Sequence, residues 1–180
     1  VRHADLAEPR VAQAWRVLDE VLDPEVPALS VRDLGIVRDI VDHADGLEIV
    51  LTPTYSGCPA TEVISQSVIA AVDAAGLGPT RVTMRRAPAW TTDWISDEGR
   101  RKLLEYGISP PGPVQKDAAQ NTADGVRPLR FMRRAVQPAL ACPRCGSSHT
   151  EQLSAFGSTA CKSLYRCLDC REPFEHFKPI

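Results

Sequence analysis

Two short cysteine pairs, Cys142-Pro143-Arg144-Cys145 and Cys167-Leu168-Asp169-Cys170, carry the most specific chemistry in this chain. Each is a CxxC turn that presents two thiolates to one side, and 21 residues lie between the pairs. Two such turns bring four sulfurs to tetrahedral geometry, which zinc accepts because its filled d shell imposes no shape of its own. Zinc is the preferred ion, and iron also suits thiolate ligands. His149 and His176 are alternative fourth ligands if one cysteine is unused. The segment is too short to bury a large core, so metal ligation is expected to supply folding energy. Of the six cysteines, five fall at 142 and beyond, and in a reducing compartment a metal site explains that cluster better than disulfides.

A separate thiol, Cys58, follows the turn signal Ser56-Gly57 and precedes Pro59. Proline is favoured at the first helical position, so Cys58 is expected at the N-cap of a helix over 59–75. Free backbone N–H groups and the helix dipole converge there, and both favour thiolate. Two readings stand: a reactive or metal-handling thiol, or a small core cysteine. Upstream, Asp23-Pro24-Glu25-Val26-Pro27 is either a rigid acidic turn or a pair of carboxylates able to bind a metal near Cys58. Cys161 ends a run of small residues, Gly157-Ser158-Thr159-Ala160, and is either buried filler or a secondary metal or redox contact.

These groups need elements to position them. Residues 10–22 place Val11, Ala14, Trp15, Leu18, Val21 and Leu22 on one helical face, and Pro24 and Pro27 stop that helix. Residues 30–35 read as a short helical turn from Ser30 to Gly35. Residues 36–41 and 47–52 read as a hairpin whose turn carries Asp45-Gly46 and an exposed His43. Ile64, Val68, Ala71 and Val72 recur at helical spacing, and 80–86 reads as a third strand with Val82 and Met84 facing the helices. Arg81, Arg85 and Arg86 make a local basic spot on it, read as a solvated edge or a patch for an acidic partner. Trp90 and Trp94 are read as a lid over the core in preference to a partner surface. Ser96 caps a short helix that Gly107 ends. The third strand returns across a helix, so the sheet is mixed and the fold class is α/β, a small two-layer domain followed by a zinc-ribbon-like β module.

The proline-rich stretch 108–113 reads as a stiff break, 111–128 as a linker, and 129–134 as a strand entering the cysteine-rich module, whose hairpin is expected near 150–154 and 163–167. The expected division is 1–110, 111–128 and 129–180, with 1–9 frayed. Phe174 and Phe177 are expected to pack the module or dock it on the first domain. The net charge of -2 and pI near 6.1 provide no basic field for nucleic acid. No apolar run reaches the roughly 18 residues of a membrane span, and the start lacks a basic region followed by an apolar core, so a cytoplasmic location is expected. No triad or nucleotide loop is visible, and no independent catalytic activity is expected.

DPEVPALSVRDLGIV at 23–37, LTPTYSGCPATEV at 51–63 and ISDEGRRKLLEYGISPP at 95–111 resemble the MIP18-like (DUF59) family. The distal CPRCGS, FGSTACKSLYRC and EPFEHFK resemble the PaaD-type group within it, which accompanies the phenylacetyl-CoA epoxidase of phenylacetate degradation. That resemblance implies a role in iron–sulfur cluster assembly or protein maturation. It makes Cys58 the functional thiol and cofactor contact, Asp23 and Glu25 the acidic motif, and a transient iron–sulfur cluster or iron a second cofactor beside zinc. The implied partners are epoxidase components, above all the iron–sulfur reductase, with the diiron oxygenase as another candidate, and cluster-assembly proteins.

Overall fold

The computed structural model describes residues 9–55, 57–113 and 140–180. Helix α1 (Arg10–Asp19) buries Ala14 and Leu18, which lie one turn apart. Strands β1 (Val37–His43) and β2 (Gly46–Leu51) pair antiparallel, with Ala44 and Asp45 at the tip of the hairpin. Strand β3 (Thr80–Met84) lies on the other side of β2 and runs parallel to it, from Leu47 opposite Thr80 to Leu51 opposite Met84. A parallel return needs a crossover, supplied by α2 (Ala60–Ala74). The sheet is therefore mixed, in the order β1-β2-β3, as the pattern of apolar residues predicts. Ala60, Ile64, Val68 and Val72 recur every four residues and join Leu47, Ile49 and Leu51 of β2 in one core. Fully burying each larger aliphatic side chain contributes about 2 kcal/mol, so this stripe holds α2 on the sheet despite the helix's lack of a side-chain cap.

The chain between α1 and β1 is held by reciprocal bonds. The Ser30 Oγ accepts from the Asp33 N–H at 3.0 Å, and the Asp33 Oδ2 accepts from the Ser30 N–H at 3.1 Å. The same carboxylate accepts from Lys102 Nζ at 2.7 Å and ties this turn to α3 (Asp97–Tyr106). Gly35 has φ +68°, and a Cβ there would lie 2.3 Å from the Trp94 carbonyl oxygen, so the turn admits only glycine. Ser96 caps α3 by accepting from the Gly99 N–H at 2.9 Å, and Gly107 ends it in the left-handed conformation, both as expected. His43, expected in the open, is half-buried with Nε2 2.9 Å from Glu48, because β1 extends through it to the tip.

A second sheet has the order β4-β7-β6-β5, formed by β4 (Ile108–Ser109), β5 (Thr150–Ser154), β6 (Lys162–Cys167) and β7 (Pro173–Phe177). The β5–β6 hairpin lies where its residues predict, whereas nothing local predicts β4 or β7. The stretch read as a stiff break begins instead with buried Ile108 and Ser109 paired parallel to Glu175 and His176. Backbone groups of β7 would otherwise be left without partners at that edge. The expected frayed end up to residue 8, most of the linker and the strand at 129–134 lie outside the described residues.

Packing divides the cysteine module between two cores. Cys142, Tyr165, Cys167 and Phe174 pack among themselves, with the Tyr165 and Phe174 rings stacked at 5.8 Å. Cys161 and Phe177 instead enter the core of the first domain. Phe174 therefore packs the module while Phe177 docks it. Trp90 is buried against Phe177 and donates from Nε1 to the Leu34 carbonyl at 2.9 Å. Trp94 lies under the Arg38 guanidinium, 3.6 Å from its ring centroid. The Ile180 carbonyl accepts from the Thr91 hydroxyl at 2.7 Å and the Thr92 N–H at 3.1 Å.

Candidate metal centre and junction pocket

The sulfurs of Cys142, Cys145, Cys167 and Cys170 all lie within 4.8 Å of one another. Cys142 and Cys170 are 3.8 Å apart, and Cys145 and Cys167 are 3.6 Å apart. A tetrahedral zinc with bonds of about 2.3 Å has ligand edges of about 3.8 Å, which these two pairs match, so the four thiolates suit the ion. The turns that hold them are tight. Gly146, with φ +75°, donates its N–H to the Cys142 carbonyl at 2.9 Å. The N–H groups of Cys170 and Asp169 point at the Cys167 sulfur and hold its thiol below the ordinary cysteine range, as a metal-binding thiolate requires. His149 is exposed and faces Asp169 at 3.1 Å, and His176 is buried edge-on against Tyr165, so neither histidine joins the four-sulfur set. Four protein ligands leave no open position, the hallmark of a structural zinc site.

Cys58 belongs to a different place. The regular helix begins at Ala60, so Pro59 and not Cys58 takes the N-cap position; Pro59 already has helical angles (φ -67°, ψ -22°), and the Cys58 carbonyl accepts from the Thr61 N–H at 3.2 Å. Cys58 stands just before the helix, half-buried, in the wall of a pocket with about 510 Å³ of empty space, its mouth included. Asp23 and Glu25 line the same pocket, so the structure brings the three sequence-predicted residues together. Asp23 is 7% exposed, and its Oδ1 accepts from the N–H groups of Glu25 at 2.9 Å and Val26 at 2.7 Å. Burial pushes its carboxyl above the usual range, and these two N–H groups and the nearby Lys162 only partly oppose that. Glu25 is raised as well, first by burial and then by the charge of Asp23.

The cysteine module completes the pocket. Cys161 and Phe177 line it, and Cys161 is only 6% exposed. Burial pushes the Cys161 thiol up, while the Thr159 hydroxyl 3.0 Å from its sulfur opposes this. Lys162, 3% exposed, pairs with Glu175 at 2.9 Å behind it. Thr52, 2% exposed, also lines the pocket, and its Oγ1 has no hydrogen-bond partner. Residue types alone do not single out Thr52 or Lys162. The run of small residues before Cys161 is the available signal, marking a backbone that approaches another part of the molecule closely.

Residues 12–84 match the family described as iron-sulfur cluster assembly protein, and residues 128–178 match the PaaD zinc beta ribbon domain. Over 179 residues the chain is 45% identical to a protein of Escherichia coli named as a putative subunit of 1,2-phenylacetyl-CoA epoxidase, covering 99% of each chain. The chain belongs to the MIP18-like (DUF59) iron–sulfur assembly family and carries the PaaD-type ribbon. It is also 33% identical over 95 residues to an Fe-S protein maturation auxiliary factor of Porphyromonas gingivalis, covering 52% of this chain and 87% of that protein. With the Fe-S protein maturation auxiliary factor YitW of Bacillus subtilis the identity is 36% over 81 residues, covering 44% of this chain and 78% of that one. Both of these shorter relatives are named as maturation auxiliary factors. Among the described residues, no helix is long and apolar enough to cross a membrane.

Proposed function

We propose that this chain is an accessory maturation factor of the phenylacetyl-CoA epoxidase system, in which Cys58, with Asp23 and Glu25, handles iron or an iron–sulfur cluster destined for a client. The observation that carries this reading is the placement of the Cys58 thiol with the Asp23 and Glu25 carboxylates in a single pocket, apart from the four closed sulfurs of the ribbon. A thiolate suits iron and clusters, carboxylates suit an incoming cation, and an open pocket allows exchange that a closed site does not. The name of the Escherichia coli relative supports the epoxidase as the client system, with its iron–sulfur reductase as first candidate and its diiron oxygenase as second. On this reading residues 1–110 handle the cargo, 111–128 link, and 129–180 form the zinc module, in the cytoplasm.

The test is the iron and acid-labile sulfide content of the reductase matured in cells that carry this chain as wild type or as Cys58→Ala. The expected result is cluster-deficient reductase and lost epoxidase activity with the variant. Full cluster content with Cys58→Ala would remove the thiol from the mechanism. A second reading, a non-catalytic structural or regulatory component of the epoxidase, rests on the Escherichia coli relative's being named as part of that enzyme. Stoichiometric co-purification with the oxygenase supports the structural component, and transient substoichiometric binding supports the maturation factor.

A further inference from the structure

The junction pocket is built by both modules. The first domain supplies Cys58, Asp23, Glu25 and Thr52, and the ribbon supplies Cys161 and Phe177. We propose that Cys161 is the second thiolate ligand of this pocket, so that the iron cargo is held between Cys58 of the first domain and Cys161 of the ribbon. This rests on the reading of Cys58 as the cargo thiol and extends it to a residue outside the portion of the chain shared with the assembly family match.

Three observations converge on it. Cys58, Cys161, Asp23 and Glu25 all line the one pocket, so the two thiols and the acidic turn share one neighbourhood. The Thr52 hydroxyl is buried in the same wall without a partner, and an unsatisfied buried hydroxyl costs about 1–3 kcal/mol. A bound thiolate or sulfide gives that hydroxyl an acceptor. The charge also fits a cation and not an anion: the carboxyl groups of Asp23 and Glu25 line the pocket, while the nearby Lys162 is already paired with Glu175.

The protein alone leaves the coordination incomplete. Among the described residues, the ribbon cysteines are the only set of three or more such ligand atoms that lie within 4.8 Å of one another. The pocket thus offers two soft ligands with carboxylates at hand, leaving positions for a donor or client to enter. Each thiol releases its proton as its sulfur binds, and the iron keeps its oxidation state. Because Phe177, β4–β7 pairing and Ile180 fix the ribbon to the first domain, they also fix Cys161 at the pocket.

The test uses the full chain, zinc-loaded and anaerobic, with ferrous iron alone as the probe. Wild type is expected to bind ferrous iron outside the ribbon, with Cys58→Ser and Cys161→Ser each weakening it about tenfold or more. Thr52→Val is expected to weaken it about fivefold, the loss of one hydrogen bond. If Cys161→Ser binds as wild type while Cys58→Ser does not, the proposal falls and the Cys58 reading stands. If both bind as wild type, both fall. Should Cys161→Ser fail to fold, phenylarsine oxide on the unmutated chain decides: its oxygen leaves as water, with the two thiol protons, as two As–S bonds form. Joint loss of Cys58 and Cys161 from alkylation in denaturant, relative to the chain without the arsenical, supports the pair, and its absence overturns it.

Discussion

Trp90 and Phe177 meet across the junction of the two sheets, ring centroids 6.3 Å apart and planes tilted by 51°. The contact couples the zinc module to the α/β domain, because Phe177 is 2% exposed and belongs to the core of the other module. Phe177→Ala is expected to cost about 4 kcal/mol in denaturant unfolding followed by tryptophan fluorescence. Zinc content should stay unchanged, since the ribbon's own core of Tyr165 and Phe174 does not include Phe177. The rate at which iodoacetamide modifies Cys161 should rise. An unchanged rate would show that Phe177 does not seal the junction.

Gly35 tests the other wall of the same region. Its φ of +68° and the 2.3 Å approach of the Trp94 oxygen to any added Cβ demand a backbone shift on substitution. The next residue back, Leu34, provides the carbonyl that Trp90 bonds. Gly35→Ala is therefore expected to cost about 2 kcal/mol and lower the thermal midpoint by roughly 6 °C. A midpoint equal to that of wild type would mean that the turn relaxes freely.

Burial of His176 sets an acid limit on stability. Its ring packs edge-on against Tyr165, its Nε2 has no partner, and desolvation pushes its pKa down to about 4 from 6.5. The unfolded chain takes up a proton near pH 6.5, whereas the folded chain resists until about 4. The unfolded state therefore binds more protons across that window, and stability falls as pH drops through it. At about 1.4 kcal/mol per pKa unit the loss attributable to His176 is about 3 kcal/mol. His176→Leu should flatten the stability curve between pH 6.5 and 4 relative to wild type. Parallel curves for the two proteins would assign the acid loss to other groups.

Local patterns carried much of this structure. The four-residue spacing of Ile64, Val68 and Val72 marks α2, and the parallel return of β3 follows from the helix between two strands. The CxxC spacing marks the zinc ligands, because a knuckle is a local structure. What stays hidden is long-range. Nothing within 108–109 marks it as a strand, since its partner β7 lies at 173–177 and only docking leaves that edge to be filled. Cys161 reads as ambiguous for the same reason: its own loop explains its small neighbours, but only the junction shows that it faces the pocket of Cys58. The N-cap falls one residue later than expected, at Pro59 and not Cys58, because the regular helix starts at Ala60 although Pro59 already has helical angles.

Zinc removal separates the two modules most directly. Cys142 and Cys167 are half of the ribbon's small buried core, so without the ion that core retains only Tyr165 and Phe174 and loses the bonds that close its turns. Such a module does not stay folded on hydrophobic burial alone. The core built from Leu18, Ile49 and Val68 draws little from the ribbon, so α1, α2 and the β1–β3 sheet should persist. Chelation at neutral pH, or Cys142→Ala, is therefore expected to keep the helical far-ultraviolet signal. It should also red-shift the Trp90 emission as Phe177 withdraws and open Cys161 to alkylation. A ribbon that keeps Trp90 buried and Cys161 protected after complete zinc loss would mean that docking, not the metal, holds the module. In that case the four sulfurs would be free to serve as an exchange site in their own right.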